Sequence, residues 1–254
     1  MVVGLETFAR AFSADANQYV LIGGGAVVLH LQKAGFHARA TKDLDLVLTA
    51  QALDPEFVQR FWAFVGSGQY ERWEKASGES VRYRFLKPRA ADYPAMIELL
   101  GRPLGDPPAG QRVVPMRAAD DLSDLSAILV DEDILQVVRG HQSVTEGVCC
   151  LSPLGLILLK TRAWLDLAAR NQAGEPVQSS DIKKHRNDVF RMASLLAPGD
   201  HPLVPESVQK DLDRFLTLVE SDTVVHGDIL KSLGEIPGGS IAERIQDLRT
   251  VVKL

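Results

Sequence analysis

The chain has 254 residues, 46% of them hydrophobic, which is enough for one large domain or two modest ones and too apolar for wholesale disorder. With 28 basic against 33 acidic residues the net charge is −5, which argues against tight, sequence-independent binding of long nucleic acid. The two cysteines, Cys149 and Cys150, are neighbours and cannot build a disulfide framework. No signal-peptide pattern opens the chain, and no apolar run approaches the roughly 20 residues that span a bilayer; the expected setting is cytoplasmic, with reduced, buried thiols and no membrane.

Residues 4–14 read as a helix with Leu5, Phe8 and Phe12 along one side. Tyr19-Val20-Leu21-Ile22 is short enough for a buried strand and runs into Gly23-Gly24-Gly25, after which Ala26, Val27, Leu29 and Leu31 fit a helix closed by Gly35. A glycine-rich turn before a helix lets backbone N–H groups approach a phosphate with no side chain in the way. Asp43-Leu44-Asp45-Leu46-Val47-Leu48 then alternates carboxylate and aliphatic. On a strand this puts both acids on one face, a site for a hard divalent cation, and turns Leu44 and Leu46 to the core. A phosphate cradle with a carboxylate pair reads as metal-dependent chemistry on a nucleotide.

Asp54 and Pro55 start a helix through Phe57, Val58, Phe61, Trp62 and Val65, whose aromatics belong in the core and not on a base-stacking platform. Val81 to Leu86 alternates like a strand with a basic face at Arg82 and Arg84, and Ala95 to Leu100 reads as a second strand. Glu98 is the one acid in that run; buried without a partner it would be costly, so it calls for a cation, a hydrogen-bond network or solvent. Gly101 to Asp121 reads as a loop, Asp120, Asp121 and Asp124 as caps and solvated charge, and Ala127–Val130 and Ile134–Val138 as strands flanking the acidic turn at residues 131–133. From Ser152 the pattern is helical. Ser152 caps and Pro153 opens a helix whose aliphatic stripe is interrupted by Lys160, and a charge in such a stripe calls for an anion. A second helix over about 180–196 puts Lys184 and Asp188 on one face. Further amphipathic helices span Pro205–Glu220, Asp228–Leu233 and Ile241–Val252.

A strand ending in Gly-Gly, a helix, and then Arg39-Ala40-Thr41-Lys42-Asp43-Leu44-Asp45 resembles the nucleotidyltransferase superfamily related to DNA polymerase β. The closest resemblance is to its AbiEii-like branch, the nucleotidyltransferase toxins of bacterial toxin–antitoxin and phage-defence systems. The resemblance implies an α/β (α+β) fold, with a small mixed-sheet catalytic domain of the polymerase-β type over residues 1–148 and a helical bundle domain over residues 149–254. It implies transfer of a nucleoside monophosphate from an NTP to a hydroxyl, with release of pyrophosphate. Gly23 and Gly24 would hold the β- and γ-phosphates, and Asp43 and Asp45 would bind two Mg2+ ions, with Mn2+ as a substitute. Glu98 matches the third carboxylate, although the superfamily more often has Asp there; it would reach the second metal and act as, or position, the base. Arg39, Thr41 and Lys160 would steady the triphosphate, and Lys184 and Asp188 match the family's Lys/Asp helix.

The implied acceptor is a tRNA end or a protein hydroxyl, and the implied partner a cognate antitoxin. An RNA acceptor would need a local basic surface, for which Arg82, Arg84, Lys87, Arg89, Lys183, Lys184 and Arg186 are the candidates. Two alternatives stand beside this reading: transfer to a small molecule of aminoglycoside type, and a degenerate fold that only binds a nucleotide or a partner. The intact Asp43 and Asp45 argue against the second.

Overall fold

In a computed structural model of the chain, the described residues are 2–39, 41–49, 53–76, 81–101, 104, 113–115, 131–196 and 204–253. Leu5, Phe8 and Phe12 are the buried residues of helix α1 (Leu5–Phe12), as their spacing predicts. Strand β1 (Tyr19–Ile22) is buried throughout, while β2 (Asp43–Leu48) alternates, its two aspartates partly open and Leu44 and Leu46 buried. Between them α2 (Gly23–Lys33) starts at once, so the three glycines form its first turn and not a turn ahead of it. Gly23 has φ 68°, in the left-handed region that favours glycine, and this lets the chain pass from strand to helix within one residue.

Helix α3 (Pro55–Ser67) is capped by the Asp54 side chain, which accepts from the Glu56 N–H at 2.9 Å, with Pro55 in the first turn. Its Phe57, Phe61, Trp62 and Val65 are buried. Strands β3 (Arg72–Ala76), β4 (Val81–Leu86), β5 (Met96–Gly101) and β6 (Val113–Pro115) follow, then helix α4 (Glu132–Gly140) and the hairpin of β7 (Gln142–Thr145) and β8 (Val148–Leu151). Among the described residues eight strands form one mixed sheet in the order β6-β3-β4-β5-β2-β1-β8-β7. One face carries Tyr19, Leu46, Leu99, Tyr83, Phe85 and Trp73, packed against the aromatics of α1 and α3: Phe8 meets Tyr19 edge-on at 5.2 Å, and Trp62 stacks on Trp73 at 5.2 Å. This layer leaves the other face, with the even-spaced charged residues of β2 to β5, for chemistry.

Beyond the sheet the chain is helical: α5 (Pro153–Gln172), α6 (Ser179–Ala193), α7 (Glu206–Ser221), α8 (Val224–Leu233) and α9 (Ile241–Val252). Ser152 caps α5, accepting from the Gly155 N–H at 3.2 Å. Helix α5 packs mainly on α6, and also on α2 and α7, which ties the helical part to the glycine helix. The architecture is thus the expected mixed sheet with a helical C-terminal region. The expected division between residues 148 and 149 falls within β8, which pairs with β1 and β7 in the sheet. No described helix is long and apolar enough to cross a membrane.

Beyond the glycine turn, the structure departs from the sequence reading in two places and adds a hairpin where none was expected. Ile134–Val138 is not a strand: Asp131 caps α4, accepting from the N–H groups of Asp133 and Ile134, so the acidic turn is a helix start and Ile134, Val137 and Val138 form its buried stripe. Val113–Pro115, inside the expected loop, pairs in parallel with β3. The β7–β8 hairpin turns on two residues at positive φ, Glu146 at 51° and Gly147 at 77°, which is the tight two-residue connection that suits the twist of paired strands. The readings of Asp120, Asp121, Asp124 and Ala127–Val130 lie outside the described residues. Both cysteines are free and buried, as expected.

The Asp131 cap also accepts from Arg162 of α5 at 2.8 Å, joining α4 to the helical part. Replacing Asp131 with Ala should lower the urea midpoint with an unchanged m-value, a loss of about 1–2 kcal/mol by denaturant titration.

Candidate active site

Strand register assembles the site. Asp45 of β2 lies opposite Glu98 of β5, Glu98 opposite Arg84 of β4, and Arg84 opposite Glu74 of β3. Residues opposed across a sheet share a face, so one row of charges crosses four strands on the side away from the aromatic layer. Asp43, two residues before Asp45, projects from the same face.

Above this row a cavity is lined by Asp43, Asp45, Glu98, Arg84, Thr41, Gly24, Lys160, Lys184 and His185. Seven of the residues expected to hold metal or nucleotide therefore meet in one place: Gly24, Thr41, Asp43, Asp45, Glu98, Lys160 and Lys184. An adjoining cavity shares Gly24, Thr41 and Lys184 and adds Arg39, Asp188 and Arg191 against an apolar wall that includes Val27 and Leu31. Gly23 lines neither; its part is the left-handed turn beneath them. A Cβ at Gly24 would reach Thr41 Oγ1 at 3.6 Å, an ordinary contact, so glycine there keeps space open at the helix N-terminus without being sterically required.

Burial governs the electrostatics. Asp45 keeps some surface exposure, yet protein atoms surround it, and that desolvation, with the repulsion of Glu98, pushes its carboxyl up to about 7 against the pull of Lys160 and Lys184. Desolvation also raises Asp43, whose main opposing influence is Lys184. Lys160, 1% exposed, is lowered by burial, with Asp188 opposing. Glu98 is held instead by guanidinium groups: its Oε1 lies 3.1 Å from Arg84 Nη2 and 3.6 Å from Arg82 Nε.

These contacts revise two expectations. The anion that Lys160 calls for is supplied within the protein, since Asp188 Oδ2 lies 3.4 Å from its ammonium. Asp188 accordingly serves Lys160 and, at 2.9 Å, Arg191, so its partners lie on a neighbouring helix and one turn further along its own. The expected basic strand face is not a surface: Arg82 is 2% exposed and bound to Glu98, and Arg84 is shared between Glu98 and Glu74. Arg89 pairs with Glu71 at 2.9 Å, and Lys183 with Asp228 at 2.7 Å, close to Arg186.

Sequence reasoning missed Arg191, His185 and Glu74. Arg191 had a signal, because Lys184, Asp188 and Arg191 follow the i, i+4, i+7 spacing of one helix face. Glu74 had none, since only the register carries it opposite Arg84.

Asp43 and Asp45 present hard oxygen donors, and their mutual repulsion with Glu98 in a poorly solvated cavity fits a divalent cation such as Mg2+. Among the described residues no three His, Cys, Asp or Glu side chains stand together as a preformed cluster. A cation would therefore be received by the aspartate pair, with Glu98 beside it in the grip of the arginines.

The raised Asp45 carboxyl fixes a pH dependence. Its folded value, about 7, exceeds its ordinary value of 3.8, so the folded state holds a proton that the unfolded chain has released, and stability is lost as pH rises from about 4 to about 7. In EDTA, Asp45's own contribution to the unfolding free energy should fall by roughly 1 kcal/mol per pH unit across that window, read as the difference in slope between wild type and Asp45→Asn. Denaturant titrations of both proteins at four pH values would check this.

The comparison with known proteins adds one positive finding. The family model described as "Nucleotidyl transferase AbiEii toxin, Type IV TA system" matches residues 7–236, a span that takes in the glycine helix, the acidic strands and the Lys160 and Lys184 helices. No curated protein and no solved structure matches the chain. A match over that much of the chain places the protein in the AbiEii family of nucleotidyl transferase toxins of type IV toxin–antitoxin systems.

Proposed function

We propose that the chain transfers a nucleoside monophosphate from an NTP to a hydroxyl on a macromolecular acceptor, a tRNA end or a protein side chain. The observation that carries this reading is the meeting, in one cavity, of the Asp43/Asp45 pair with Gly24 at a helix N-terminus and the two lysines Lys160 and Lys184. The N-terminus of an 11-residue helix offers free N–H groups and the positive end of its dipole to phosphate oxygens. Lys184 and Thr41 border both cavities, and Arg39 lies in the adjoining one, so a triphosphate extending from the aspartates along α2 would meet positive charge along its length. A divalent cation held by Asp43 and Asp45, Mg2+ or Mn2+ in its place, would neutralise the charge that develops on the transferred phosphoryl group.

In the reaction the acceptor oxygen bonds to the α-phosphorus, the bond from that phosphorus to the bridging oxygen of the β-phosphate breaks, and pyrophosphate leaves. Glu98, on the strand beside Asp45, takes or directs the proton released by the attacking hydroxyl. Lys160 is fixed by Asp188 near the floor of the cavity, where its charge balances the carboxylates. The family's type IV assignment makes a cognate antitoxin the natural partner.

Incubation with labelled NTPs and Mg2+, in the presence of total tRNA and of a protein extract, should label one of the two. Asp43→Asn with Asp45→Asn should reduce labelling by about 1000-fold or more while leaving the protein folded. Labelling of an aminoglycoside alone would replace the macromolecular acceptor with a small one. NTP affinity by calorimetry that is equal with and without Mg2+, with no transfer to any acceptor, would leave a binding module.

A further inference from the structure

The row of charges does not end at the acidic residues of the site. Glu74, on the third strand from Asp45, is 1% exposed, and its Oε2 lies 3.7 Å from Arg84 Nη1. The other terminal nitrogen of the same guanidinium, Nη2, lies 3.1 Å from Glu98 Oε1. Arg72 closes the far end on Glu74 Oε1. A residue that served only to satisfy Glu98 would need no second acid behind it, and Arg82 already reaches the same Glu98 oxygen at 3.6 Å. A carboxylate buried this deeply on a sheet face is costly unless it is paired, so its presence calls for a physical account.

We infer that Glu74 and Arg84 are positioning residues for Glu98: Glu74 holds the Arg84 guanidinium at a fixed place between two acids, and Arg84 in turn fixes Glu98 by one oxygen beside Asp45. The inference rests on the reading of Asp43, Asp45 and Glu98 as the acidic set that receives a divalent cation. An arginine side chain is long and has many rotamers, and this one borders the cavity. Held from one side only, it would close on Glu98 or swing towards Asp45, and in either place it would compete with a cation for carboxylate oxygens. Shared between Glu74 and Glu98, it is kept on the strand side of the row. The planar guanidinium spreads its charge over separate nitrogens, so it can hydrogen-bond Glu98 from one while attracting Glu74 as an ion pair from another. The arrangement is a relay along the hydrogen-bonded direction of the sheet, with strand register as its ruler: Glu74, Arg84, Glu98 and Asp45 are successive partners on β3, β4, β5 and β2.

The test measures binding of Mn2+ alone by electron paramagnetic resonance, with thermal unfolding of the same samples as the control for folding. Glu74→Gln keeps the shape and removes the charge, leaving Arg84 to Glu98; Mn2+ affinity should drop about 10-fold, within the range typical of residues that orient metal ligands. Arg84→Lys keeps the charge and loses the two-sided geometry, and should weaken Mn2+ to a similar extent. Arg72→Gln acts on the outer, half-exposed end of the row and provides a milder variant should the buried ones fail to fold; its expected loss is smaller, about threefold. Variants that unfold at lower temperature yet bind Mn2+ as the wild type does would show a purely structural role and overturn the inference, leaving the nucleotidyltransferase reading intact. A wild-type protein that binds no Mn2+, or whose binding survives Asp43→Asn with Asp45→Asn, would overturn the metal reading and the relay with it.

Discussion

The parallel pairing of β2 with β5 sets Asp45 directly beside Glu98, and much of the remaining structure answers the repulsion this creates. Two acids side by side in a partly dry cavity cannot both stay ionised without help. Help comes from three directions: Arg82 and Arg84 along the sheet, Lys160 from α5, and Lys184 from α6. Two of these cations are then held by further contacts, Arg84 by Glu74 and Lys160 by Asp188, so charge is balanced outward from the two acids. The apolar half of the fold makes this arrangement affordable. Because the aromatic layer fills one face of the sheet, the opposite face is left to carry polar chemistry.

Much of this was legible from residue pattern alone, and where it was, a local rule was at work. The alternation of Asp43 to Leu46 fixes which side chains share a face, and the cap-and-proline starts at Asp54–Pro55 and Ser152–Pro153 fix two helices. The glycines announced the helix entry, though Gly23 works through its backbone conformation and only Gly24 reaches the cavity. Where the reading failed, a short signal had two meanings. The acidic residues at 131–133 fit a turn as well as a capped helix start, and the Ile134, Val137, Val138 stripe decides for the helix. The Glu146-Gly147 turn lies in a stretch for which the pattern offered no element.

What no local rule could supply is partnership between distant residues. Lys160 stands out in its sequence because a charge interrupts an aliphatic stripe, but that its anion is Asp188 depends on how α5 crosses α6. Arg82 and Arg84 look like a solvent-facing basic strand until β5 is placed beside them with Glu98 in register. The family resemblance reached the acidic strand, the glycine helix and the lysine helices, and the match over residues 7–236 agrees with that extent. Glu74, Arg191 and His185 belong to the same neighbourhood and are brought there by the fold alone.

The split origin of the site has a bearing on how the protein is made. The carboxylates lie in the first hundred residues, while Lys160, Lys184 and Asp188 lie on helices far downstream. Asp188 is steadied in turn by Arg191, whose Nε donates to the Ser232 carbonyl at 3.1 Å on a still later helix. During synthesis on the ribosome, which proceeds from the N-terminus, the acidic strands and their arginines emerge well before Lys160 and Lys184. A half-finished chain therefore carries the acids without Lys160 and Lys184 and has no completed cavity. In this member of the AbiEii family, the acids and the two lysines that line the cavity come together only once the helices that follow the sheet have been made.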